Sequence, residues 1–166
     1  MKNLSRVLLL IFILTEIGSL VSIPVYGHDR AIEELLVQAN KGNADAQYKL
    51  GDSYKFGEGI AQDITEGIKW YCKAAVQGHI EAQYHLGWIY QNGSGIAMDE
   101  KEAAKWYHMA AEAGHSEAQY ILGYMYQDGK GVVQDYKQAL KWYSKAAEQG
   151  HAQAQFFLGW MYEQAE

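Results

Sequence analysis

Residues 79–114 read HIEAQYHLGWIYQNGSGIAMDEKEAAKWYHMAAEAG, and this stretch decides the fold because close copies of it lie on both sides in the chain. At an offset of 36 residues, Gly42, Gly78, Gly114 and Gly150 align. So do the pairs Ala46-Gln47, Ala82-Gln83, Ala118-Gln119 and Ala154-Gln155, then Leu50, Leu86, Leu122 and Leu158, then Tyr54, Tyr90, Tyr126 and Tyr162. The second half of the unit repeats as Trp70-Tyr71, Trp106-Tyr107 and Trp142-Tyr143, with Ala-Ala pairs behind them. Self-similarity at one fixed period marks an array of stacked units, none of which can bury its apolar face alone.

Each unit contains two helical patterns. Ala82, Leu86, Gly87 and Tyr90 form one stripe of a helix with 3.6 residues per turn. Ala103, Trp106, Tyr107, Ala110 and Ala111 form a second stripe. Gly51, Gly87, Gly123 and Gly159 recur inside the first helix although each costs roughly 1 kcal/mol against Ala. Their recurrence predicts a close approach there, by a neighbouring helix or a Trp ring.

The punctuation agrees with this division. Gly57, Gly93 and Gly129 stand where a left-handed residue ends the first helix. Asp63, Asp99 and Asp135 stand where an N-cap opens the second, and Gly78, Gly114 and Gly150 close it. The expected organisation is a leading segment over 1–27, an N-terminal capping helix over 28–41, and repeats over 43–78, 79–114 and 115–150. A half repeat, a first helix only, follows over 151–166. Ala31, Leu35 and Ala39 carry the capping helix.

The spacing Gly-His-x-Glu-Ala-Gln-Tyr-x-Leu-Gly-x-x-Tyr, then Gly-x-Gly, then Trp-Tyr-x-x-Ala-Ala, resembles the Sel-1-like repeat, a relative of the tetratricopeptide repeat. The resemblance covers residues 43 to 166. It implies an all-α fold, a right-handed α-solenoid of antiparallel helix pairs, in which the first helices line a concave groove. It also implies a scaffold for protein or peptide partners, with roles seen among exported bacterial members in envelope assembly, secretion or engagement of host proteins.

Composition narrows the partners. After Gly27 the chain holds 12 Lys and Arg against 19 Asp and Glu, a net charge of −7. Such a surface repels phosphate backbones, which argues against nucleic acid. Cys72 is the single cysteine, so no intrachain disulfide forms and stability must come from packing. The paired cysteines of the β-lactam-associated secreted members of the resembled family are therefore missing.

Residues 1–27 have the layout of a secretory signal. Lys2 and Arg6 precede an unbroken apolar run, Val7 to Leu14, and Val25-Tyr26-Gly27 offers a cleavage region. This predicts a periplasmic or secreted protein with no membrane span after cleavage. The alternative is an uncleaved N-terminal anchor, since Val7 to Tyr26 is long enough to cross a bilayer of roughly 20 residues.

Catalytic chemistry finds little footing. The Gly-x-Gly elements follow a helix and lack the Gly-Lys-Ser/Thr of a phosphate loop, and no serine lies in a nucleophile elbow. His79, His115 and His151 recur with the repeat, but stacked helices lie about 8–10 Å apart, whereas zinc ligands each reach within about 2.1 Å of one ion. They are read as local features of a helix start. The expectation is no enzyme, no cofactor and no metal.

Binding follows from helical geometry. Successive residues turn by 100°, so the position after the recurring glycine lies almost opposite the core stripe. Trp88, Tyr124 and Trp160 occupy it, with Asp52 in the first unit. Beside them lie Tyr84 and Tyr120, and on the other flank His85. These six are the candidate partner-binding residues, an aromatic ladder suited to peptide recognition. The same rings suit burial between neighbouring first helices, and both readings stand at this point. Stacked aromatics also suit a sugar, so binding or hydrolysis of a cell-wall component, peptidoglycan or a β-lactam, is the alternative function. The last helix, which has no cap, is a candidate surface for oligomerisation.

Overall fold

The computed structural model describes residues 30–163. The expected signal segment, the first two residues of the expected capping helix and the last three residues of the chain lie outside the described residues. Helix α1 runs Arg30–Asn40 and three pairs follow: α2 Ala44–Phe56 with α3 Ile64–Ala75, α4 Ile80–Asn92 with α5 Glu100–Glu112, and α6 Ser116–Asp128 with α7 Tyr136–Glu148. Helix α8, Ala152–Glu163, is a further first helix. Among the described residues there is no strand, and each helix packs on the next in chain order. This is an α-solenoid.

Local chemistry sets the helix ends. The carboxylate of Asp99 accepts from the backbone N–H groups of Lys101 and Glu102, both at 3.0 Å. Asp63 and Asp135 cap α3 and α7 in the same way, each cap contributing about 1 kcal/mol. The first helices end on Gly57, Gly93 and Gly129, whose φ angles of 75°, 66° and 71° are left-handed. Only glycine takes that conformation without a steric penalty.

The core of each pair is a tyrosine laid against a glycine. A Cβ built on Gly51, Gly87 or Gly123 would come within 2.7 Å of ring carbons of Tyr71, Tyr107 or Tyr143 respectively. The close approach expected at these glycines is real, but the ring is the tyrosine of each Trp-Tyr pair and not the tryptophan. The tryptophan sits a further 100° around the second helix, and Trp106 packs instead on the cluster formed by α3 and α4. All three tyrosines are fully buried, as are Leu50, Leu86 and Leu122, and each such side chain contributes about 1.5–3 kcal/mol through removal from water.

A second recurring contact joins one unit to the next. The amides of Gln47, Gln83 and Gln119 donate to the carbonyls of Ala39, Ala75 and Ala111, each at 3.0 Å. These carbonyls lie at the C-terminal ends of the preceding helices, where the N–H groups of Gly42, Gly78 and Gly114 also reach them at 3.0–3.1 Å but no regular i+4 helical bond remains. Helix α1 takes part through Ala39, so it behaves as a second-type helix that opens the array.

Candidate interaction surface on the first helices

The first helices α2, α4, α6 and α8 are neighbours along one side of the array. The hydroxyl of Tyr48 in α2 lies 3.2 Å from Nε2 of His85 in α4. The ring of Tyr120 in α6 lies 6.0 Å from that of Phe157 in α8. The structure divides the six candidate residues into two sets.

Two members of the first set, Trp88 and Trp160, point outward, and the third, Tyr124, rests partly on the cluster of Ala139, Tyr143, Ala146 and Ala154. Trp88 is 38% exposed and Trp160 is 44% exposed. Tyr124, in the same position of α6, is half-buried, and its hydroxyl accepts from Nζ of Lys130 at 2.6 Å. The Lys130 ammonium also stands 4.6 Å from the Tyr124 ring centroid. These side chains project from rigid helices, so little conformational entropy is lost when a partner covers them.

The second set is engaged in the joints between units. Tyr84 stacks on His115 at 4.4 Å and Tyr120 on His151 at 4.8 Å, just as Tyr48 stacks on His79. His85 lies parallel to Tyr71 at 5.5 Å. Burial, followed by the nearby Lys55 charge, holds the His85 pKa below its ordinary value, because a charged imidazole there loses hydration. The rings of this second set serve mainly to join successive units.

The recurring histidines have a role wider than the local one expected of them. Nδ1 of His79, His115 and His151 accepts from the backbone N–H of Ala82, Ala118 and Ala154, so each ring caps its helix. Nε2 faces a carboxylate of the previous unit: Asp45 at 3.3 Å, Glu81 at 3.4 Å and Glu117 at 2.8 Å. With Nδ1 accepting, the proton belongs on Nε2, which donates to that carboxylate. Among the described residues no group of three His, Cys, Asp or Glu side chains is placed to hold a metal. Cys72 is half-buried, and burial raises its thiol pKa, which disfavours the reactive thiolate.

Two contributors to the outward surface were not singled out in the sequence. Phe56, at the end of α2, is 58% exposed. Lys55 stands between its ring and that of Trp88, with Nζ 4.9 and 5.1 Å from the two centroids. The available signal was a break in the repeat, since the positions matching Phe56 hold the polar Asn92 and Asp128.

Paired helices stacked in one direction, with side chains offered from the first helix of each pair, define a solenoid scaffold. The chain belongs to the Sel1 repeat family, whose model matches residues 44–79, 80–115, 116–151 and 152–165. Proteins of this family are generally non-catalytic scaffolds, and the repeats commonly mediate protein interactions. The chain is similar to a Sel1 repeat protein from Oxalobacter formigenes, with a TM-score of 0.75 and 40% identity over 79% of this chain and 98% of that one. It is also similar to c5321, a protective antigen present in uropathogenic Escherichia coli strains that displays an SLR fold. That match has a TM-score of 0.77 and 41% identity, over 81% of this chain and 29% of that one. A curated relative is the ERAD-associated E3 ubiquitin-protein ligase component HRD3A of Arabidopsis thaliana, 45% identical over 47 residues. The match takes in 28% of this chain and spans 7% of the relative's length.

Proposed function

We propose that this protein is a non-catalytic, exported scaffold that binds a protein or peptide segment along its first-helix face. The observation that carries the reading is the outward placement of Trp88 and Trp160 on the first helices, with the half-buried Tyr124 at the same position between them and Lys55 set between Trp88 and Phe56. Large aromatic side chains dominate binding energy when a partner seals them from water, and a neighbouring cation adds a preference for acidic or carbonyl-rich segments. The test is capture of partners from envelope and host-cell lysates by the wild-type chain and by a Trp88→Ala/Tyr124→Ala variant. Partners that all persist on the variant refute this surface.

Export is supported by the charged start and apolar run of residues 1–27. The description of the similar Escherichia coli protein as a protective antigen also accords with a protein that reaches the envelope or beyond. Roles in envelope assembly, secretion or host engagement follow from that location. N-terminal sequencing of the fractionated protein tests it: a new start near Gly27 is expected in the periplasm or medium, and an intact N-terminus in the membrane fraction makes the segment an anchor. Turnover of peptidoglycan or a β-lactam that disappears on substitution of one first-helix residue would replace the scaffold reading with the enzymatic one.

A further inference from the structure

A groove of about 510 Å³ lies between α1 and α2, lined by Ala31, Ile32 and Leu35 on one side and Lys49, Asp52 and Ser53 on the other. One repeat further on, the same six positions are Gly67, Ile68, Tyr71, His85, Trp88 and Ile89. There the groove is filled, and helix α2 fills it. A Cβ on Gly67 would stand 2.9 Å from the Gly51 carbonyl, and the Tyr71 ring lies on Gly51. Tyr48 reaches His85, and Lys55 reaches Trp88. The α1–α2 groove therefore lies at the place that a first helix fills one repeat further on. Ala31 is exposed in it, while its counterparts Ala103 and Ala139 are fully buried.

Helix α8 is a first helix with the opposite deficit. The surface that α3, α5 and α7 cover on α2, α4 and α6 is open on α8. A Cβ built on Gly159 meets nothing within 4 Å. Leu158 is only half-buried and Gln155 is exposed, although their counterparts in the other three first helices are buried. Phe156, 69% exposed, matches the stacked Tyr48, Tyr84 and Tyr120.

The polar positions of the two surfaces also match. Inside the chain each joint pairs a carboxylate with the cap histidine 34 residues later: Asp45 with His79, Glu81 with His115, Glu117 with His151. The next pair in that register is Gln153 with Asn43 of another copy, and both members have become neutral amides. Neither a carboxylate nor an imidazole is stranded. Likewise Gln77 donates to Gln47 and Gln149 to Gln119, and the same register sets Lys41, a donor, beside the amide oxygen of Gln155. One pair opposes the joint, because Glu163 falls near Asp52.

We infer that α8 of one copy seats in the α1–α2 groove of a second copy, with Leu35 lying on Gly159 as Tyr71 lies on Gly51. The joint continues the interface that already links successive units within the chain. It is heterologous, the two partners using different surfaces, so copies add head to tail and the association does not stop at a dimer. The outward aromatic row then runs on from copy to copy, which raises avidity for a repetitive or extended partner.

The test is sedimentation velocity of the full chain as purified, from low to high micromolar concentration, with Gly159→Trp and Ala31→Arg variants. Wild type should gain mass with concentration past the dimer. Each variant alone should stay monomeric, since Gly159→Trp blocks only α8 and Ala31→Arg blocks only the groove. A one-to-one mixture of the two should form dimers and nothing larger, because one open surface of each kind remains. Asp52→Asn should lower the concentration of half-association several-fold. Circular dichroism confirms that each variant is folded, and Gly159→Leu with Ala31→Lys supply a second blocking pair. The proposal is overturned by a wild type that stays monomeric throughout. It is equally overturned by association that survives either block, or by folded variants whose mixture stays monomeric.

Discussion

The ring of Tyr107 lies on the backbone of Gly87 so closely that a Cβ at Gly87 would stand 2.7 Å from ring carbon Cδ1. The hydroxyl at the far end of the same ring donates to Oε1 of Gln91 at 2.8 Å. One side chain thus fixes the spacing of α4 and α5 and their register. Gly87→Ala should lower stability by about 1–2 kcal/mol, because overpacking costs about 1–3 kcal/mol and outweighs the helix-propensity gain of roughly 1 kcal/mol. Gly159→Ala, with open space around it, should keep that gain. Urea unfolding of the two variants at low protein concentration checks the contrast, and shifts of the same sign would contradict the packing account.

Gln83 offers a second prediction. Its amide oxygen is buried with no hydrogen-bond partner among the described residues, whereas the oxygens of Gln47 and Gln119 accept from Gln77 and Gln149. The matching position in the middle repeat is Ala113, which has no donor to offer. Ala113→Gln should restore the bond and stabilise the chain by about 1 kcal/mol, read as a higher denaturation midpoint with unchanged slope.

The cap histidines can be dissected by substitution. His115→Ala removes the acceptor for Ala118 N–H, the contact with Glu81 and the stack on Tyr84, and should cost about 1–2 kcal/mol. His115→Asn keeps an acceptor, as Asn43 does for Ala46, and should recover about half of that. If both variants unfold at the same denaturant concentration, the cap is not what the ring contributes.

His85 makes stability depend on pH. It is flanked by Tyr48 and Tyr71, with Lys55, Asp52, Glu81 and His115 as the nearby charges. Its pKa lies below the ordinary 6.5 in the folded chain, so the unfolded chain takes up its proton first. The favourable contribution is complete above about pH 6.5 and declines as pH falls below it. His85→Ile places there the residue found at the matching Ile121. The stability of wild type relative to this variant should fall between pH 7.5 and pH 5, measured by denaturant unfolding at both values. A difference that does not change with pH would falsify the burial of a neutral imidazole.

Much of the architecture was legible in the amino-acid order. The helix pairs, the aspartate caps before α3, α5 and α7 and the glycine stops after α2, α4 and α6 all stand where spacing placed them. The candidate surface was less legible. Trp88 and Tyr84 lie four residues apart on one helix, yet Trp88 turns outward while Tyr84 is held on His115. Helical geometry places both near one side, but only the neighbouring unit determines which ring it covers.

The sequence by itself determined the period, the helix boundaries and the all-α solenoid, because these rest on apolar spacing and caps that act within one turn of the chain. Tertiary structure decided that tyrosine rather than tryptophan meets each glycine, and that the cap histidines reach back to a carboxylate of the previous unit. It also decided that Gly159, which shares the Leu-Gly-Trp triplet of Gly87, faces open space. Those outcomes depend on partners many residues away, whose distance is set by how whole helices stack and not by any local preference.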